Sequence, residues 1–283
     1  MKIWILGATG LVGRTLIEVL KKREIPFVGT SKQEIDITHF AALARFAVQH
    51  LITHIVNCAA YTLVDEAESH SMAAHLVNSE GPLYLGNLAS RLGIKVVHIS
   101  SDYVFDGTKK TPYIESDEGS PINVYGRSKW LGEKQLLERL PTACIIRTSW
   151  VFGKGGRNFI SSLLKWLKEK EELRVVADQR SRPTYCYDLA EAIVHLLDHT
   201  GVFHFANKGD TSRFEIALSM KREAEKQGMI LACQRIIPIE ASTAQWVAPR
   251  PYNSLLATEK WQLLVGHSPR SWEEGMKEFI HDS

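Results

Sequence analysis

The chain has 283 residues, 45% hydrophobic and 23% charged, with a formal net charge of +2. This globular balance suits one large domain or two intimately joined ones, and so small a charge gives no reason to expect a nucleic-acid partner. No apolar run approaches the roughly 18 residues of a membrane span, and the short apolar stretch before Gly7 reads as a buried first strand rather than a signal peptide.

In chain order, the hydrophobic pattern predicts a strand at 2–6, a helix at 12–22, a strand at 26–30, a helix at 40–50 and a strand at 54–58. A long helix follows over 71–92, either interrupted by Gly81-Pro82 or tolerating them, and then a strand at 95–100 that is continuous in valine and isoleucine. Strands buried on both faces look like this. A helix at 123–140, a strand at 143–147, a helix at 158–170 and a short strand at 174–177 come next. The remaining elements are a helix at 187–199, a strand at 202–206 and helices at 214–227 and 272–281. Strands alternating with helices at this spacing imply an α/β fold with a doubly wound parallel sheet and right-handed crossovers. Residues 1–152 with roughly 185–206 are expected to form the sheet domain, and 153–184 with 207–283 a smaller C-terminal α/β substrate lobe. Cys58, Cys144, Cys186 and Cys233 lie far apart with no C-x-x-C pair, which suits free thiols in a reducing cytosol and predicts a cytoplasmic protein.

Gly7, Gly10 and Gly13 form a G-x-x-G-x-x-G turn between the first strand and the first helix. Such glycines let the backbone approach a pyrophosphate, and the helix start points free N–H groups at it. A dinucleotide on a Rossmann-type sheet is therefore expected against Gly7, Thr9, Gly10, Leu11, Val12 and Gly13. The second strand ends in Gly29-Thr30-Ser31-Lys32, without the acid that would bind the adenosine ribose of NAD. Ser31 and Lys32 suit a 2′-phosphate, so NADPH is favoured and NADH stays open.

Tyr125 and Lys129 form a Tyr-x-x-x-Lys on a predicted helix, where i and i+4 share a face. Carbonyl reduction needs a proton donor for the forming alkoxide, and a nearby ammonium lowers a phenol's pKa. A third group should polarise the carbonyl. Ser100 and Ser101 stand at the end of the fourth strand, where ligands bind in such sheets.

Longer blocks resemble the dTDP-4-dehydrorhamnose reductase family of extended short-chain dehydrogenases. Ile99 to Gly107 resembles its I-S-T-D-Y-V-F-D-G, Ile55 to Glu68 its V-I-N-A-A-A-Y-T-A-V-D-x-A-E, and Asn123 to Lys129 its N-V-Y-G-R-S-K. Arg147 to Gly153 resembles R-T-S-W-V-Y-G, and Arg250 to Ser254 resembles R-P-x-x-S. Asp178-Gln179 with Pro183-Thr184 resembles D-Q-x-G-x-P-T, with Arg182 at a usually small position. The resemblance implies a catalytic set of Ser101, Tyr125 and Lys129, with serine in place of the family's threonine and Ser100 as runner-up. It implies cofactor contacts from Asp36, Ile37, Ala59, Ala60, Tyr61, Ser100, Tyr125 and Lys129. It also implies substrate contacts from Thr62, Val64, Ser101, Asp102, Tyr103, Tyr125 and Trp150, with Arg250 holding the dTDP moiety. The implied reaction is NADPH-dependent reduction at C4 of dTDP-4-dehydro-L-rhamnose, with Tyr125 as proton donor, and a homodimer is an open option. Some family members bind Mg²⁺ at a dimer interface, but no distinctive acidic cluster is visible here, so no metal is predicted. His50/His54 and His195/His199 are read as helix-end residues and not as ligands. Trp166, Trp246, Trp261 and Trp272 are read as small-lobe core, and Lys154 to Arg157 as a local basic loop. Two alternatives remain: a non-catalytic NADP-binding regulatory subunit like the beta subunit of methionine adenosyltransferase, and another nucleotide-sugar epimerase or dehydratase. The reductase pattern of Tyr61 to Asp65 and Arg147 to Trp150 speaks against the first.

Overall fold

A computed structural model describes residues 1–156 and 158–281. Arg157, the last residue of the expected basic loop, lies outside the described residues. Strand β1 (Ile3–Leu6) is buried along its whole length, and β2 (Phe27–Thr30) and β3 (His54–Asn57) flank it in parallel. Strands β4 (Lys95–Ser101), β5 (Cys144–Thr148) and, further along the chain, Gly201–His204 extend the sheet on the β3 side. Ile3 and Ile5 join the core on one face, while Trp4 and Leu6 join the core on the other. A strand buried on both faces does not alternate with exposed polar residues, which is why β1 reads as a continuous apolar run and β4 carries Val96, Val97 and Ile99 about the buried His98.

The first face is covered by α1 (Leu11–Lys22) and a helix at Cys186–Leu196. Leu16, Val19 and Leu20 of α1 are fully buried with Leu189 and Ile193 in one cluster. Each such side chain contributes about 1.5–3 kcal/mol by burial. The other face is covered by α2 (Phe40–Gln49) and the long helical stretch that follows β3. After α3 (Val64–Ser69) that stretch runs as α4 (Ser71–His75), a π-helical segment Leu76–Glu80 and α5 (Gly81–Leu92). Pro82 therefore does not break it, because it falls in the first turn of α5 just after the wide turn. Helix α6 (Val124–Arg139), capped by the Asn123 side chain on the Gly126 N–H, packs on α5 and carries Tyr125 and Lys129.

Beyond β5 the chain forms β6 (Val151–Phe152), α7 (Phe159–Glu169), β7 (Glu172–Val176) and β8 (Thr184–Tyr185). It then returns to the sheet as α8 (Cys186–Leu196) and β9 (Gly201–His204), so the sheet order is β2-β1-β3-β4-β5-β9. The last elements are α9 (Arg213–Lys226), β10 (Arg235–Ile239), α10 (Glu259–Val265) and α11 (Trp272–His281). A separate core joins Phe152, Leu163, Leu173, Ile216, Met220, Trp272 and Phe279. Trp272 belongs to it as expected. Trp261 instead packs in the sheet core beside Phe205, and Trp166 is 37% exposed. No described helix is long and apolar enough to cross a membrane.

Candidate active site

The cofactor side is made of backbone. Gly7 leaves β1 at φ +77°, and the N–H groups of Gly7 and Ala8 donate to the Thr30 carbonyl at 3.1 and 3.0 Å. A Cβ on Gly7 would stand 2.8 Å from the Ala59 nitrogen, and one on Gly13 would stand 2.3 Å from the Gly7 carbonyl oxygen. Only glycine lets β1, β3 and α1 meet this closely. Gly10, the N-cap of α1, offers no side chain to the helix start, so its N–H groups face outward. A cavity of about 240 Å³ is lined by Gly7, Thr9, Gly10, Lys32, Asp36, Ile37, Ala59, Ala60 and Tyr61. A second, of about 500 Å³, runs from Gly10, Leu11 and Val12 to Ser100, Ser101, Asp102, Tyr125, Lys129 and Trp150. Both are lined by Gly10, Cys58 and Ala60, so one groove leads from the end of β2 to the end of β4. These residues fit a dinucleotide: the glycines keep open a cradle that a Cβ would fill, and two cavities sharing Gly10, Cys58 and Ala60 adjoin it.

Ser31 does not line either cavity; its N–H and hydroxyl both donate to Glu34, at 2.7 and 2.8 Å. Lys32 stands 4.0 Å from Asp36 with its side chain 74% exposed, so its ammonium is mobile enough to meet a phosphate. Asp36 accepts the Thr38 N–H at 2.9 Å and hydroxyl at 2.8 Å.

At the other end of the groove the two serines part, because successive strand residues face opposite sides. Ser100 donates to Glu133, a buried carboxylate that Arg147 holds through Nε at 3.1 Å and Nη2 at 2.7 Å. Ser101 points the other way, donating to Asp102 at 3.1 Å and accepting the Tyr103 N–H at 3.1 Å. Ser101 lines the cavity with Tyr125 and favours the ionised phenol, whereas the Ser100 hydroxyl is taken up by Glu133. Burial pushes the Tyr125 phenol above its ordinary value, and the Ser101 hydroxyl opposes this only in part. The Lys129 ammonium donates to the Ile99 carbonyl at 2.6 Å and lies 3.3 Å from His98. Burial draws it down to about 8, while Glu133 pulls it back up. The expected lowering of the phenol by Lys129 is therefore not found: the ammonium is turned to the backbone, and desolvation dominates the tyrosine. Burial likewise raises Asp102 to about 6, against hydrogen bonds from Ser254 (2.6 Å) and Ser101.

On the substrate side, Thr62 and Trp150 line the larger cavity, and Tyr103 meets Tyr125 edge-on with ring centroids 5.9 Å apart. Trp150 has φ +43°, a left-handed backbone that costs a tryptophan about 1–3 kcal/mol and persists where the surroundings fix it. Val64 opens α3 outside the cavity lining. Arg250 gives both terminal nitrogens to Asp65, at 2.6 and 2.7 Å. Asp65 is held down to about 2 by that bond first and also accepts the Val247 and Ala248 N–H groups. Sequence reasoning missed Thr148, Asn158 and Arg14 in the lining, and Arg213 above Trp150. Asn158 had a legible signal as a helix cap; Arg213 sits in no motif. No cluster of three or more His, Cys, Asp or Glu side chains that could hold a metal occurs among the described residues.

A six-stranded parallel sheet, a glycine cradle and a buried Tyr-x-x-x-Lys beside a strand-end serine define an NAD(P)H-dependent oxidoreductase of the extended short-chain type. Residues 1–283 match the RmlD substrate binding domain, and the chain belongs to the dTDP-4-dehydrorhamnose reductase family. It is 37% identical over 295 residues to a dTDP-4-dehydrorhamnose reductase of Burkholderia thailandensis, covering 100% of this chain and 99% of that one. It is 36% identical over 264 residues to a dTDP-4-keto-6-deoxy-D-glucose reductase of Streptomyces niveus, covering 92% and 90%. A crystal structure of dTDP-4-dehydrorhamnose reductase from Bacillus anthracis in complex with NADP superposes with a TM-score of 0.93, at 34% identity, over 100% of this chain and 99% of that one.

Proposed function

We propose that this protein reduces the C4 keto group of dTDP-4-dehydro-L-rhamnose to the alcohol of dTDP-L-rhamnose, with NADPH as the favoured dinucleotide. The observation that carries this reading is the single groove joining the glycine cradle to Ser101, Tyr125 and Lys129. When bound, NADPH supplies the hydride that reaches the carbonyl carbon. Gly7, Gly10 and Gly13 hold its pyrophosphate by backbone, Lys32 meets the adenosine end, and Lys129 stands at the nicotinamide end. Tyr125 gives its proton to the carbonyl oxygen as the alkoxide forms. A phenol raised by burial is fully protonated at neutral pH, the form that reduction requires. Ser101, in the same cavity as Tyr125, donates to the same oxygen and polarises the carbonyl. Asp102, Tyr103 and Trp150 hold the hexose beside it.

The test is NADPH absorbance with enzymatically generated dTDP-4-dehydro-L-rhamnose, for wild type and Tyr125→Phe. Oxidation that the mutant loses establishes the chemistry and the acid. Tight NADPH binding without turnover in the wild type overturns the reading in favour of a regulatory NADP-binding subunit.

A further inference from the structure

Arg213 is the first residue of α9, far in sequence from every block that carries the family likeness. Its guanidinium lies 4.4 Å from the ring centre of Trp150, 4.8 Å from that of Phe159 and 5.9 Å from that of Trp246. Tyr103 lies near enough to favour its charge, yet its Nε is buried without a partner, and no described carboxylate forms an ion pair with it. Arg250 is the instructive contrast. It lies 5.0 Å from the same Trp246 ring, but Asp65 occupies its fork and cancels its charge. Burial disfavours the charged form of Arg213, and the aromatic faces around it replace only part of the lost hydration. Arg213 thus stands beside Trp150 and Tyr103, at the edge of the hexose site, as a cation with an open donor and no ion-pair partner among the described residues.

We infer that Arg213, and not Arg250, supplies the charge that binds the diphosphate of the nucleotide sugar, at the phosphate next to the hexose. The inference rests on the nucleotide-sugar reading given above. A guanidinium offers planar, paired donors to phosphate oxygens, and the nearby aromatic rings shield that contact from water. Arg250 braces the wall: with Asp65 it ties the segment carrying Trp246 to α3, which positions the ring against Arg213.

Calorimetric titration of dTDP into the full-length protein tests this, with NADPH affinity measured in parallel. Arg213→Gln is expected to weaken dTDP binding about 10–100-fold and to leave NADPH affinity within about twofold. Arg213→Lys, which keeps the charge, recovers part of the loss. Unchanged dTDP binding in Arg213→Gln overturns the inference and leaves the reductase reading standing, as does an equal loss of dTDP and NADPH binding, which marks a structural role. A wild-type protein that binds NADPH but not dTDP sinks the nucleotide-sugar reading, and this inference with it.

Discussion

The two ends of the groove are built in different ways. The cofactor end is backbone: Gly7 and Gly13 make contacts that a single methyl group would abolish, and the side chains around them do little more than form walls. The substrate end is side chain: Ser101, Asp102, Tyr125, Trp150, Arg213 and Ser254 come from five separate stretches of sequence and meet only in the fold. A backbone site tolerates change in everything except its glycines, whereas a side-chain site can be altered one chemical group at a time.

That difference can be broken from either end. Tyr125→Phe should lower turnover about 10²–10⁴-fold while leaving NADPH affinity nearly unchanged, as stopped-flow oxidation and a binding titration would show. A parallel loss of cofactor binding would mean that the two ends are not separable. Gly13→Ala is the mirror case. Its Cβ falls 2.3 Å from a backbone oxygen that has no room to retreat. Cofactor affinity should drop about 10–100-fold, with dTDP affinity held, in the same titrations.

Between the two ends lies the buried Glu133–Arg147 pair behind Ser100. Glu133→Gln leaves Arg147 buried without its counter-charge and should cost about 3–5 kcal/mol in chemical denaturation. A cost below about 1 kcal/mol would place the pair in contact with water. Lys129 sharpens the comparison through pH. Its ammonium is held near 8 by burial, so kcat/KM should be level up to about pH 8 and fall above it if the charged form serves the reaction. The sign for stability is opposite. Between about 8 and 10.5 the folded chain binds fewer protons at this site than the unfolded one. This group's contribution is therefore present at high pH and lost as pH falls through 8, so Lys129→Met should stabilise the fold most near neutrality. The smallest effect is at the rim. Lys32 is largely exposed, and Lys32→Ala should weaken NADPH about 2–5-fold without touching NADH.

The same contrast explains what the sequence made legible. The sheet was readable because β1, β3 and β4 are apolar on both faces and the glycine turn adjoins the first of them. Asn123 and Asn158 marked helix starts that the structure places within a residue. The strands β6 and β8 were not readable, since two residues carry no period, and β10 is half-exposed and contains Pro238. Ser100 and Ser101 were readable as a pair, but not which one meets the tyrosine, because that depends on the direction of the pleat at the end of β4. Arg213 was invisible: its setting is made by three aromatic rings from Trp150, Phe159 and Trp246, none adjacent to it in sequence.

The wide turn at Leu76–Glu80 takes up one extra residue between α4 and α5 without breaking the helical stretch. Asn78 within it bonds the Tyr61 backbone at 2.8 and 3.0 Å and the Ser128 hydroxyl at 3.0 Å, so it clips the cofactor wall to the helix bearing Tyr125. A wide turn holds one residue more than a regular α-helical turn, so deleting one residue here would draw it into regular α-helix and leave α5 in nearly the same phase. Leu85, Leu88 and Ala89 would keep their places in the core, while Asn78 would leave its position and the clip would open. A single-residue deletion, harmless in most surface loops, would here leave the helix whole and uncouple the two halves of the active site.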